Sequence, residues 1–316
     1  MDKAVKIIMF LAQRALLAFI VLGSVLFLTI DKEKLAGNLL AYTKDYGEYA
    51  YLYAYGQKEW DADAMHKSRL YYHSLLSFVP SPALVYGNLG FCDFHLGEMG
   101  KAVDHYQKAV QLEPRLYSFY YDLGVISQMA QNPDGAAALF TRSLELLPQK
   151  PQDFLKLLGT PVNSPMAGVG AELQQLWQRA QYDREQIYRL LADIYSQAQD
   201  YPNAQRIALE GVAAFPANAE LFYSAGLASY HLKQYARAVE LLTAAVRLDP
   251  HYAEAYYYRA QSYKEFGQTL NMQKDIQMAM EARGKPRKPV KEDFSQLHVY
   301  RDAGTFFKLY GLRRPK

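Results

Sequence analysis

The chain has 316 residues, half of them apolar and 21% charged, with a formal net charge of +3. That apolar content excludes a chain disordered by composition, and the small net charge is not the strongly basic balance of a nucleic-acid-binding protein. Cys92 is the only cysteine, which excludes an internal disulfide and a cysteine-based zinc site; its apolar neighbours predict a small buried hydrophobe.

The first predicted element is a transmembrane helix. Residues 15–30 are uncharged, and extension back to residue 7 gives about twenty-four residues, enough at roughly 1.5 Å each to cross a core of roughly 30 Å. Arg14 is tolerable inside the span because its long stem carries the charge toward the headgroups. A cleaved signal peptide is the alternative, but it needs a small-x-small site after the apolar run, and Thr29-Ile30-Asp31-Lys32-Glu33-Lys34 is a poor one. Lys3, Lys6 and Arg14 precede the run, whereas the charges of residues 31–34 cancel. The positive-inside bias therefore predicts a single-pass protein with residues 1–34 as cytoplasmic stub and anchor and the body extracytoplasmic, periplasmic in a bacterium.

Residues 35–82 are rich in tyrosine, with Tyr42, Tyr46, Tyr49, Tyr51, Tyr53 and Tyr55 close together. From residue 83 onward a period of thirty-four is visible. Ala102, Ala136, Ala204 and Ala238 keep it, as do Pro114, Pro148, Pro216 and Pro250, and Gly90, Gly124 and Gly226. Two units fill residues 83–150 and three fill residues 185–286. Residues 35–82 hold the register weakly, with Ser68 at the alanine position, and read as an atypical first unit. Residues 151–184 have the length of a unit without its pattern: a possible short helix at 154–158, a breaker cluster at 159–165 and a helical stretch at 171–180. The array is expected to continue through this degenerate unit with a loop bulging from it; a hinge between two arrays is the alternative.

A fixed period of this length is the mark of a helical solenoid, in which each unit needs a neighbour to cover its apolar face. Within residues 83–116, Tyr86, Leu89-Gly90, Ala102, Tyr106, Ala109 and Pro114 resemble the tetratricopeptide repeat (TPR) pattern. The resemblance implies an all-α solenoid of helix-turn-helix repeats whose first helices line a concave groove, with a peptide or helix of a protein partner as ligand. The matching groove positions are Phe91, Phe94, His95, Tyr121, Val125, Met129, Tyr223, Leu227, Tyr230 and Tyr257. Arg189 and Asp193 fall in the same register. Cover by the chain's own tail is the alternative for some of these. Family members that hold a C-terminal carboxylate do so with a Lys, Asn and Arg clamp; the corresponding residues here are Gly87, Phe91, Tyr121, Asp122 and Val125, which departs from it.

No catalytic constellation is expected, nor a cofactor or metal. The seven histidines are scattered, and H-E-x-x-H and phosphate-loop motifs are absent. Acidic residues on the helices are expected on solvated faces. Beyond residue 286 the repeats stop. Residues 287–316 form a basic tail in which Phe294, Leu297, Tyr300, Phe307 and Tyr310 predict a short amphipathic helix over the last repeat, with membrane-surface or docking roles as alternatives. The expected function is a protein–protein interaction scaffold or assembly factor in the cell envelope. A structural subunit of a secretion or flagellar apparatus and a regulatory subunit of an enzyme are the alternatives.

Overall fold

The computed structural model describes residue 46 and residues 49–54, 58–76, 82–150, 153, 169–287 and 297–299. The expected membrane segment at 7–30, the short helix at 154–158, the breaker cluster at 159–165 and the tail from Tyr300 onward lie outside them. Among the described residues no helix is long and apolar enough to cross a membrane.

Twelve helices and no strand are present among the described residues: α1 (Tyr49–Ala54), α2 (Ala62–Leu75), α3 (Ala83–His95), α4 (Met99–Leu112), α5 (Tyr117–Met129), α6 (Pro133–Leu146), α7 (Val169–Gln197), α8 (Tyr201–Ala214), α9 (Ala219–His231), α10 (Tyr235–Leu248), α11 (Ala253–Glu265) and α12 (Thr269–Ala282). From α3 onward, α3/α4, α5/α6, α7/α8, α9/α10 and α11/α12 pack as pairs, and each pair packs on the next. The second helices are amphipathic. In α4, Ala102, Tyr106 and Ala109 are buried, and in α10 Ala238, Leu242 and Ala245, at the i, i+4, i+7 spacing of one helical face.

Each pair closes on a small residue. A Cβ built on Gly90 would lie 2.7 Å from the Tyr106 ring, one on Gly124 2.7 Å from the Phe140 ring, and one on Gly226 2.7 Å from the Leu242 side chain. The glycine is the slot and the large residue of the second helix fills it. Where α7 meets α8, two buried alanines, Ala192 and Ala208, stand at the matching positions.

The turn inside each pair is also periodic. Gly97, Gln131, Gln199, Lys233 and Gly267 all have positive φ, between 58° and 78°. At every one the chain makes the same C-terminal cap: in the first, Gly97 N–H donates to Phe94 O at 3.0 Å and Glu98 N–H to Asp93 O at 2.8 Å, and the other four repeat that pair of bonds. The second helices α4, α6, α8 and α10 end two residues before a proline. Glu113, Leu147, Phe215 and Asp249 leave the helical region because a following proline disfavours it.

α7 is continuous over 29 residues, so the boundary read between residues 184 and 185 lies inside one helix. It packs on α6 behind it and on α8 and α9 ahead. Arg184 Nη2 donates to Pro148 O at 2.5 Å, tying α7 to the turn that follows α6.

Acidic side chains depart from the expected solvated faces. Asp93, Asp122, Asp183, Asp249 and Asp275 are buried, each beside a cation that compensates its charge. Cys92 is fully buried, and burial pushes its thiol up from the usual range.

Candidate functional site

Two stretches of the C-terminal tail pack against the repeats. The nearer is Arg287, whose guanidinium lies 3.6 Å over the centre of the Tyr252 ring. Its Nε donates to Asp249 Oδ2 at 3.0 Å and its Nη2 to Glu220 Oε1 at 3.3 Å. Glu220 also accepts from Arg189 of α7, so one carboxylate on α9 joins the tail to two repeats.

The farther stretch is Leu297–Val299. These residues are not helical, and His298 bonds to α5 and α7, while on the last repeat Leu270 and Met280 of α12 remain 82% and 73% exposed. The expected capping helix is therefore not formed at these residues. The physical reason is His298: its counter-charges are on α5 and α7. Leu297 and Val299 are buried in one apolar cluster with Tyr117, Tyr121, Val125, Ala180 and Ile187.

His298 is fixed on both ring nitrogens. Nδ1 is 2.7 Å from Asp122 Oδ1 and Nε2 is 2.8 Å from Asp183 Oδ2. The His298 backbone N–H donates to Asp122 Oδ1 at 3.1 Å. Asp183 also accepts from Arg179 Nε at 2.8 Å and from Tyr117 Oη at 2.9 Å. The rings of Tyr117 and Tyr121 meet the imidazole edge-on, with centroids 5.8 and 5.3 Å away. Asp122 Oδ2 is buried and has no hydrogen-bond partner among the described residues.

Asp122 Oδ1 and Asp183 Oδ2 each already accept another hydrogen bond, so two ring nitrogens facing them fit a ring that donates twice, which is the imidazolium. Burial and the Arg179 guanidinium oppose that charge, and Asp122 and Asp183 outweigh them, so the His298 pKa lies above its ordinary 6.5. Burial raises Asp122 above its ordinary range, with His298 offsetting only part of it. For Asp183, burial is outweighed by Arg179 and His298 together, and its pKa is lowered. Arg179 pairs with Asp183, so the ionised form of Asp122 depends on the His298 cation. Such a site selects a cation.

Comparison with known proteins agrees with this architecture. The tetratricopeptide repeat family is matched over residues 83–116 by one model, and over residues 189–253 and 234–268 by a second. Residues 83–116 and 189–268 are thus matched as tetratricopeptide repeats. Its fold is similar to that of YrrB, a TPR protein with an unusual peptide-binding site, at 14% identity and a TM-score of 0.52, over 71% of this chain and 94% of that one. It is also similar to MamA from Desulfovibrio magneticus RS-1, at 19% identity and a TM-score of 0.46, over 63% and 94% of the two chains. PilF of Pseudomonas aeruginosa is similar at 15% identity and a TM-score of 0.44, over 65% and 78%. No curated protein sequence matches the chain.

The ten groove positions read from the TPR register fall into three groups. Phe91, Phe94 and His95 pack together and are met by the first unit: Tyr53 lies 5.1 Å from His95 and 6.4 Å from Phe91, ring to ring, and Trp60 lies 6.2 Å from His95. Burial there lowers the His95 pKa to about 4, which keeps its ring neutral. Tyr121 and Val125 belong to the His298 site, while Met129, one turn further on, is 53% exposed. Tyr223 and Tyr230 share an aromatic cluster with Tyr252 and Tyr258; Leu227 is half-buried and Tyr257 is 49% exposed. Asp122, Asp183, Arg179, Glu220 and the tail residues that meet them are not among the ten. An acidic residue beside the groove aromatic, as in Tyr121-Asp122, was the available signal, and its counter-charge lies 176 residues away in sequence.

Proposed function

We propose that this chain is a membrane-anchored TPR scaffold or assembly factor of the cell envelope. On this reading it holds an extended segment of a protein partner against the face built by α5, α7, α9 and α11. The observation that carries the reading is that a non-helical segment already lies on that face, held by one side chain in a buried polar site and by its two aliphatic neighbours. Peptide recognition on a preformed surface uses this division of labour, with polar anchors for register and apolar pockets for affinity. The peptide-binding site of YrrB, a protein of the same fold, supports the same use of the solenoid. The apolar residues 7–30 and the basic residues before them support an anchor with the repeats outside the cytoplasm.

Met129 and Tyr257 are exposed on first helices and are the places to probe. Photo-crosslinking residues introduced there in cells, followed by mass spectrometry, are expected to capture one discrete protein. The same spectrum of adducts from Leu270, on the exposed face of a second helix, would overturn the groove reading. A reporter fused after Lys316 is expected to be active outside the cytoplasm, and activity confined to the cytoplasm would overturn the topology.

A further inference from the structure

We propose that Leu297–Val299 is a tethered pseudo-ligand: the site of Asp122, Asp183, Tyr117 and Tyr121 takes a basic side chain flanked by aliphatic residues from an extended partner peptide, in competition with the chain's own tail. The inference rests on the reading that this face binds protein segments. It names the chemistry of the segment and the element that regulates access to it.

Three observations lead there. The first is charge. Arg179 pairs with Asp183, and the cation beside Asp122 is His298, which also reaches Asp183 and comes from outside the array. Among the described residues, the surrounding charged and titratable groups are Asp122, Tyr117 and Tyr121 on α5, and Arg179, Tyr182 and Asp183 on α7. A lysine ammonium or an arginine guanidinium has the donors to bond both carboxylates as His298 does. The second is shape. The segment is non-helical, with a buried aliphatic residue on each side of the cation and the His298 backbone N–H used as a further donor, which is the way an extended peptide is read. The third is topology. A solenoid is held together by contacts between neighbouring repeats, whereas His298 reaches residues 176 and 115 positions away. The helix pairs pack on one another directly, so the tail adds to contacts that the array already makes.

The tether sets the strength of the competition. A segment of the same chain competes as an intramolecular ligand, at an effective concentration set by its tether. A partner with the same contacts therefore binds the closed protein weakly, and release of the tail restores the site's own affinity.

The test uses the full-length protein and a fluorescent synthetic peptide of residues 290–304, with binding read by anisotropy. Wild type is expected to bind the peptide weakly. His298→Ala in the protein is expected to bind it at least about tenfold tighter, because the tail no longer competes. A second opening variant, Leu297→Asp with Val299→Asp, keeps His298 and is expected to gain similarly. Asp122→Asn placed on either opening variant is expected to remove the gain, as is a peptide carrying His298→Ala. The proposal is overturned if both opening variants keep their helical circular dichroism yet bind no better than wild type, or if Asp122→Asn leaves binding unchanged. Loss of the fold in both variants overturns it as well, since a pseudo-ligand must be dispensable. A partner crosslinked equally to wild type and to the opening variants would retain the groove reading and remove the pseudo-ligand.

Discussion

His298 shows how a residue whose sequence context is uninformative acquires a defined state from its surroundings. Its pKa is raised in the docked segment, so the stabilisation it contributes is fully present below 6.5 and is lost as pH rises through the raised value. Asp183 works in the opposite sense: its lowered pKa contributes stability that is lost only as pH falls below the ordinary carboxylate range. Asp122, raised by burial, contributes stability that is lost as pH rises from the ordinary carboxylate range through its raised value. Tail docking therefore weakens as pH rises through the raised values of Asp122 and His298. Titration of the His298 ring followed by NMR is expected to give a midpoint above 6.5 in wild type, moving back toward 6.5 in the Asp122→Asn, Asp183→Asn double variant. A wild-type midpoint at or below 6.5 would mean that the two carboxylates do not hold the imidazolium. None of this was legible from residue types alone. An aspartate on a helix reads as solvated, and Asp122 becomes a buried acceptor only because a cation arrives from the far end of the chain.

At the scale of the helix pair, the sequence was much more legible. The period of alanine, glycine and proline positions marks where helices approach and stop, and the structure places Gly90, Gly124 and Gly226 against Tyr106, Phe140 and Leu242. Gly124→Ala drives a methyl group into the Phe140 ring and is expected to cost about 2 kcal/mol by overpacking. Adding Phe140→Leu should recover part of that loss in a double-mutant cycle, and strictly additive effects in urea unfolding would argue against the contact as its cause. The turns were less legible. Gly97 and Gly267 look like left-handed cap residues, but Gln131, Gln199 and Lys233 take the same conformation without being glycine, because the repeat geometry overrides the local preference. A left-handed non-glycine residue is strained by roughly 1–2 kcal/mol, and a glycine gains unfolded-chain entropy of roughly 0.4–1 kcal/mol that offsets part of the relief. Lys233→Gly is accordingly expected to stabilise by about 0.5 kcal/mol, read as a higher thermal midpoint; a lower midpoint would mean that the turn carries no strain.

In the whole molecule, two long-range features organise the repeats, and the thirty-four-residue period contains neither. One is α7, a single helix that carries Arg179 and Asp183 in its first half and packs on α8 and α9 beyond. The period gave no sign of it because the 151–184 segment lacks the repeat residues, and no glycine or proline interrupts residues 171–197. The other is the returning tail. Arg287 joins α7, α9 and the start of α11 through Glu220, Asp249 and Tyr252, and His298 joins α5 to α7. A solenoid's stability is distributed among neighbouring contacts, so losing one bridge loosens the repeats it spans and leaves distant ones alone. In His298→Ala, where Arg287 is retained, hydrogen exchange is expected to speed up in α5 and around Arg179–Asp183 of α7 and to be unchanged in α11 and α12. Faster exchange spread evenly from α3 to α12 would mean that the tail is part of a single cooperative core, in which case its release could not be the step that opens the groove to a partner.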